Sequence, residues 1–312
     1  MNVRVRLVNR FFLNCVLLLM FFCNQVVQAQ EVPHGTIDRK AVVTRHNLVL
    51  KDPQSAGPTQ VGNGHFAYGF DITGMQTFND QFTTMSDWSW HSTKPPKGTK
   101  PSDFKLTSVN THGRMVDYDL PNPKQPALTQ WLASNPHRFN LGRIGLLLKK
   151  KDGSNAKIND LQNTVQYFDL WTGISESNFT LEGVPVKVTT IGGTDHDIVG
   201  FKIESPLIKK GQLSIFIEFP YASLKYFSNG SYYKSPLLHH TKLIVTNKNA
   251  VLFNRQLDST LYQVSCKWTG NGKIEKQKEH RYIFSPDQKR QSFECVFAFS
   301  PSKINYKLPS FS

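Results

Sequence analysis

The chain has 312 residues, 37 Lys+Arg against 23 Asp+Glu, a formal charge of +14 and 39% hydrophobic residues. That length allows one large domain or two ordinary ones, and the apolar content excludes wholesale disorder. The basic excess raises nucleic acid as a partner. However, the lysines scatter through turns such as Lys209-Lys210 and Lys273 to Lys278 instead of interleaving with aromatics along one element, so no nucleic-acid partner is expected. A positive surface suits acidic glycans, a hint from composition alone.

Residues 1–29 read as a removable secretion signal. Arg4, Arg6 and Arg10 form a basic start, Phe11 to Cys23 is a nearly unbroken apolar run, and Val27-Gln28-Ala29 offers small-residue positions ahead of a cut before Gln30. The apolar run is shorter than the roughly 20 residues a spanning helix needs, so no stable membrane insertion is expected after cleavage. The expected location is the periplasm or the cell exterior. Losing three arginines takes the charge from +14 to +11 on residues 30–312. Cys15 and Cys23 leave with the signal, and Cys266 and Cys295 remain on the apolar faces of predicted strands. Export permits a disulfide between them, and burial as two free thiols is the alternative.

Along the remaining chain, Ala41 to Leu50 and Gly64 to Ile72 read as strands, and Asp87 to Ala127 as a long segment rich in Pro, Gly, Ser and Lys, the kind of loop that often carries function. Leu128 to Ser134 suggests a short helix. From Thr164 to Phe299 the apolar period is two. Val184, Val186 and Val188 alternate with polar residues, as do Val199, Phe201 and Ile203, and Leu213, Ile215 and Ile217. Turn signals between these runs predict about nine strands, with Thr180 to Val184 as one tight hairpin. The fold class is therefore all-β, one large antiparallel sandwich over residues 30–312.

No complete catalytic constellation can be assembled. There is no Gly-x-Ser-x-Gly elbow, phosphate loop or zinc-spaced pair, and the neighbours His239 and His240 point to opposite faces of a strand, so neither metal nor cofactor is expected. Asp195-His196-Asp197 reads as an ordinary turn. The most informative block is Val61-Gly62-Asn63-Gly64-His65-Phe66, followed by Gly74-Met75-Gln76-Thr77-Phe78 and Trp88-Ser89-Trp90-His91. A β-turn with core aromatics explains it structurally. Alternatively, Trp88 and Trp90 share one side of an extended segment beside Gln76, Asn63 and His91, a combination that suits a sugar.

The Gly-Asn-Gly turn is similar to the segment opening the N-terminal super-sandwich of six-hairpin glycoside hydrolases, the enzymes grouped around maltose phosphorylase, kojibiose phosphorylase and the inverting α-L-fucosidases. Phe168-Asp169-Leu170-Trp171-Thr172-Gly173-Ile174 and the hairpin Phe179 to Val184 resemble their Leu-Asp-Leu-x-x-Gly strand and the hairpin after it. The combined stretch resembles exported Bacteroidetes relatives. The resemblance covers about Arg39 to Phe299 and implies a two-sheet, galactose mutarotase-like super-sandwich. In that group the catalytic carboxylates lie on a following (α/α)6 toroid, and the sandwich lends loops to the rim of the pocket.

The resemblance therefore implies a non-catalytic, sugar-facing domain of an exported glycoside hydrolase, here without its toroid, which would be a separately encoded partner. Stacking falls to Trp88 and Trp90, hydrogen bonding to Gln76, Asn63 and His91, and an anionic or hydroxyl contact to Arg143, which otherwise reads as an ordinary surface arginine. A surface meant for a toroid would expose an apolar patch. Two alternatives are a free-standing carbohydrate-binding module and a sandwich-only enzyme of mutarotase or lyase type. The enzyme would pair His65 or His91 with Asp71, Asp80 or Asp87.

Overall fold

The structure is a computed structural model that describes residues 37–311 apart from 55, 56, 58, 224, 226 and 227. The expected secretion signal lies outside the described residues. The chain divides into two units between Val42 and Val43. A short helix spans Arg39–Thr44, with the Asp38 carboxylate accepting from the Ala41 N–H at 3.0 Å. The expected strand from Ala41 to Leu50 is thus replaced by this capped helix and the three-residue strand β1, Leu48–Leu50.

The remaining strands are β2 (Thr59–Gly62), β3 (Phe66–Phe70), β4 (Thr84–Ser86), β5 (Trp90–His91), β6 (Thr107–Thr111), β7 (Arg114–Tyr118), β8 (His137–Arg138), β9 (Arg143–Leu148) and β10 (Leu161–Asp169). They continue with β11 (Ile174–Leu181), β12 (Val184–Gly192), β13 (Ile198–Glu204), β14 (Leu213–Glu218) and β15 (His239–Asn247). The last five are β16 (Ala250–Leu257), β17 (Thr260–Trp268), β18 (Gly272–Lys278), β19 (Arg281–Pro286) and β20 (Ser292–Ser300). From β10 onward there are eleven strands where periodicity predicts about nine, because the polar edge strands β15 and β18 carry little alternation. The expected helix is Pro126–Ala133. The Leu181–Val184 hairpin has Glu182 at φ 49° and Gly183 at φ 78°, the left-handed pair that a two-residue hairpin turn requires.

One antiparallel sheet has nine strands in the order β1-β10-β11-β12-β13-β20-β17-β16-β15. Facing it are a four-stranded sheet, β18-β19-β14-β9, and a three-stranded sheet, β2-β3-β4, so the second layer is split rather than continuous. Alternation sends Tyr262, Val264, Cys266 and Trp268 of β17, and Phe293, Cys295, Phe297 and Phe299 of β20, into the space between the layers. There the aromatic rings bridge the sheets: Trp268 to Phe284 at 4.7 Å, Phe253 to Tyr282 at 5.0 Å and Tyr68 to Phe201 at 5.3 Å between centroids. Each fully buried side chain of this size stabilises the sandwich by about 1.5–3 kcal/mol, which makes this layer the main source of stability.

Cys266 and Cys295 are buried free thiols, the second of the two alternatives the sequence leaves open, and no disulfide joins them. Cys266 lies opposite Phe297 and Cys295 opposite Trp268, so the two sulfurs are diagonal neighbours across β17 and β20. Diagonal positions lie roughly 7–8 Å apart, their Cβ atoms somewhat less, against the roughly 3.5–4.5 Å between Cβ atoms of a bridge.

Two irregular segments complete the sandwich. Residues 71–78 thread into the core, where the buried Asp71 carboxylate accepts from Thr73 Oγ1 (2.6 Å) and the Phe78 N–H (2.7 Å). Burial pushes its pKa up, and these hydrogen bonds oppose the rise. At the other end of the chain, residues 303–311 strap the outer face of the nine-stranded sheet. Leu308 is buried over Ile198, Val296 and Ala298, with Ile304, Tyr306 and Phe311 packed around it.

Candidate functional site

The Gly62-Asn63-Gly64 turn joins β2 to β3. Its chemistry is mainly that of a turn: Asn63 Oδ1 accepts from the N–H groups of His65 (3.0 Å) and Phe66 (2.8 Å), and Asn63 Nδ2 donates to the His196 carbonyl (3.2 Å). A Cβ at Gly62 would lie 2.0 Å from the Phe66 carbonyl oxygen, so the hairpin demands glycine there. Two clefts flank this turn and share Gln60, Val61 and Gly62. One, of about 420 Å³, opens toward Thr172 and Thr194. The other, of about 370 Å³, is lined by His65, Asp87 and Arg138.

In the second cleft, pairing of β3 with β4 brings His65 beside Asp87, and their side chains meet at 2.8 Å between Nδ1 and Oδ2. The His65 hydrogen bond holds the Asp87 carboxyl below its usual range. Both groups are largely exposed. Opposite them, Arg138 of β8 pairs with Trp90 of β5, and its guanidinium carbon lies 4.5 Å from the centre of the Trp90 ring. Arg138 also donates to the Ser86 carbonyl at 2.5 Å. Trp90 keeps 45% of its surface exposed.

The other expected site residues have different surroundings. Trp88 and Trp90 do not share a side, because the Trp90 N–H donates to the Trp88 carbonyl at 2.7 Å and folds the segment into a tight bend. Trp88 turns inward against the core, and its indole N–H donates to Asp197 Oδ2 at 2.6 Å. Gln76 is fully buried and fully engaged: Nε2 donates to the Gly69 carbonyl (2.9 Å), and Oε1 accepts from the Ile144 N–H (3.0 Å). Arg143 donates from Nε to the Gln76 carbonyl (2.9 Å) and from Nη2 to that of Thr77 (2.8 Å), clamping residues 71–78 onto β9. His91 is also buried, 3.1 Å from Asp258 Oδ2 and 2.9 Å from Thr260 Oγ1, and burial lowers its pKa despite the carboxylate. Tyr221 donates to the same Asp258 oxygen at 2.6 Å. Thus Gln76, His91 and Arg143 serve the fold from these positions; Trp90 is the most exposed of the set, and Asn63, Trp88 and Arg143 are partly exposed.

Of the acid–base pairs considered from sequence, the structure forms His65 with Asp87, while His91 takes Asp258 instead. Three contributors escaped sequence reasoning. Arg138 sits in a two-residue strand with no pattern of its own. Asp197, read as a turn residue, receives both Trp88 and the Ser86 hydroxyl (2.7 Å). Asp258 lies at a hairpin turn 167 residues beyond the histidine it holds.

No protein family model matches the sequence, and no curated protein does. In structure the chain is similar to a protein described as "Putative kojibiose phosphorylase from human microbiome", with a TM-score of 0.50 and 10% identity. The likeness covers 81% of this chain and 32% of the other, so the chain spans about a third of that protein's length. At this identity the likeness establishes the fold alone, an all-β sandwich.

Proposed function

We propose that the chain is a non-catalytic, sugar-facing β-sandwich domain of exported carbohydrate-degrading machinery, with the His65–Asp87–Arg138 cleft as its glycan contact. The observation that carries this reading is the half-exposed Trp90 braced by Arg138 beside an open cleft that also carries His65 and Asp87. An aromatic ring beside hydrogen-bonding groups is what a pyranose uses, its C–H face against the ring and its hydroxyls on the polar atoms. The fold likeness and the signal-like residues 1–29 support the wider setting. A separately encoded (α/α)6 toroid is the proposed partner. The exposed Leu106, Met115, Tyr118 and Leu120, around β6 and β7, offer the apolar surface such a partner needs.

Calorimetry with a panel of oligosaccharides tests the glycan contact. At least one member should bind, and Trp90→Ala should weaken it tenfold or more, about 1.4 kcal/mol. Flat titrations across the panel would sink the reading. A free-standing binding module predicts the same binding without any toroid. A second reading, a sandwich-only enzyme, is favoured by the His65–Asp87 pair, since a histidine held by a carboxylate through Nδ1 can take a proton at Nε2. Turnover lost in His65→Ala would establish that reading instead.

A further inference from the structure

Arg138 carries a charge that no carboxylate contacts among the described residues. A guanidinium is protonated at any physiological pH. Its hydrogen bond goes to the Ser86 carbonyl, a neutral acceptor, and its flat face lies on Trp90. Among the described residues it forms no ion pair, unlike Arg281, which lies 2.7 Å from Glu218. The one carboxylate lining the same cleft, Asp87, is taken by His65 at 2.8 Å and has the Ser86 hydroxyl 3.3 Å from its other oxygen. The cleft therefore offers a fixed cation with unused donors beside an aromatic surface.

We infer that the cleft selects an acidic glycan, with the carboxylate of a uronic acid on Arg138 and the sugar ring against Trp90. This deepens the carbohydrate reading and rests on it. A charge-assisted bond from guanidinium to carboxylate is shorter and roughly twice as strong as one between neutral groups, and the planar fork matches a carboxylate in a way that a hydroxyl does not. Stacking on Trp90 holds the fork in place before the ligand arrives, so little side-chain entropy is lost on binding. The +11 charge of residues 30–312 adds a long-range attraction for polyanions.

The test titrates the full chain with oligomers of galacturonate, mannuronate and guluronate, each against its carboxyl-reduced counterpart, at low and high salt. The expected result is that at least one acidic oligomer binds tenfold or more tighter than its reduced form. Arg138→Gln should bring the two within threefold, and Arg138→Lys should keep part of the preference. Melting curves confirm that both variants remain folded. Reduced forms binding as tightly as acidic ones, with Arg138→Gln leaving the ratio unchanged, overturn the inference and leave the carbohydrate reading intact. Absence of binding by acidic, reduced and neutral glycans alike overturns both.

Discussion

His239 and Arg255 show how a charged residue can be interior without a counter-ion. Arg255 is buried, and all its partners are neutral: the Tyr262 hydroxyl (3.3 Å), the carbonyls of His240 (2.6 Å) and Pro220 (3.3 Å), the Thr241 hydroxyl, and His239 Nδ1 (2.7 Å). To accept from Arg255, His239 must be uncharged, and its ring also stacks on His280 at 3.7 Å. Burial first, then the guanidinium, lowers its pKa to about 3. His91 and His280 are lowered as well, each mainly by burial. In the unfolded chain a histidine titrates near 6.5, so between there and the folded value the unfolded state binds more protons. Stability is therefore complete above about pH 6.5 and falls as the pH drops toward 3. Thermal melts at pH 7.5, 6 and 5 should show a declining midpoint, and His239→Gln, which keeps an acceptor for Arg255, should flatten the decline. An unchanged slope in that variant would show that His239 stays neutral for no energetic reason.

At the scale of elements, legibility in the sequence follows the distance to the partner. β12, β13 and β20 read correctly because each strand states its own buried face in alternate residues, and the tight turn at Glu182-Gly183 is local chemistry. Gln76, His91 and Arg143 have the residue types of a binding site, but their partners are remote in sequence. Gln76 meets Ile144 across 68 positions, and His91 meets Asp258 across 167. Residue type therefore suggested a ligand where the chain itself supplies the contact. The cysteines depend on register in the same way. Each alternates correctly, but the pairing of β17 with β20 offsets them by two residues. Burial also pushes both thiols well up, away from the reactive thiolate. Neither Cys266 nor Cys295 should react with iodoacetamide under native conditions, and both should react after unfolding without any reductant, as mass spectrometry can count.

Across the whole molecule, residues 303–311 link the outer face of the large sheet to the cleft. Tyr306 stacks on His196 at 4.0 Å, the His196 carbonyl accepts from Asn63, and the neighbouring Asp197 holds Ser86 and Trp88. Ile304 N–H donates to Gln263 Oε1 (3.0 Å), and Lys267 Nζ donates to the Leu308 carbonyl (3.2 Å), so the strap is pinned at two further points. Replacing Leu308 by Asp places a carboxylate on the apolar strip of Ile198, Val296 and Ala298 without a partner. Hydrogen exchange should then accelerate in residues 303–311, and in the 193–197 loop through Tyr306, while the centres of β16 and β17 stay protected. Uniform acceleration over all strands would mean that the strap holds up the whole sandwich rather than one corner.

The unequal burial of the tryptophans gives the protein an optical reporter. Trp90 and Trp171 are 45% and 48% exposed, whereas Trp268 is 4% exposed and Trp88 and Trp131 lie between. Acrylamide therefore reaches two indoles readily, and of these Trp90 lies against Arg138 of the cleft. With Trp171 replaced by Phe, the readily quenched part of the emission belongs to Trp90, and its protection by an added sugar reads occupancy of the cleft without any label.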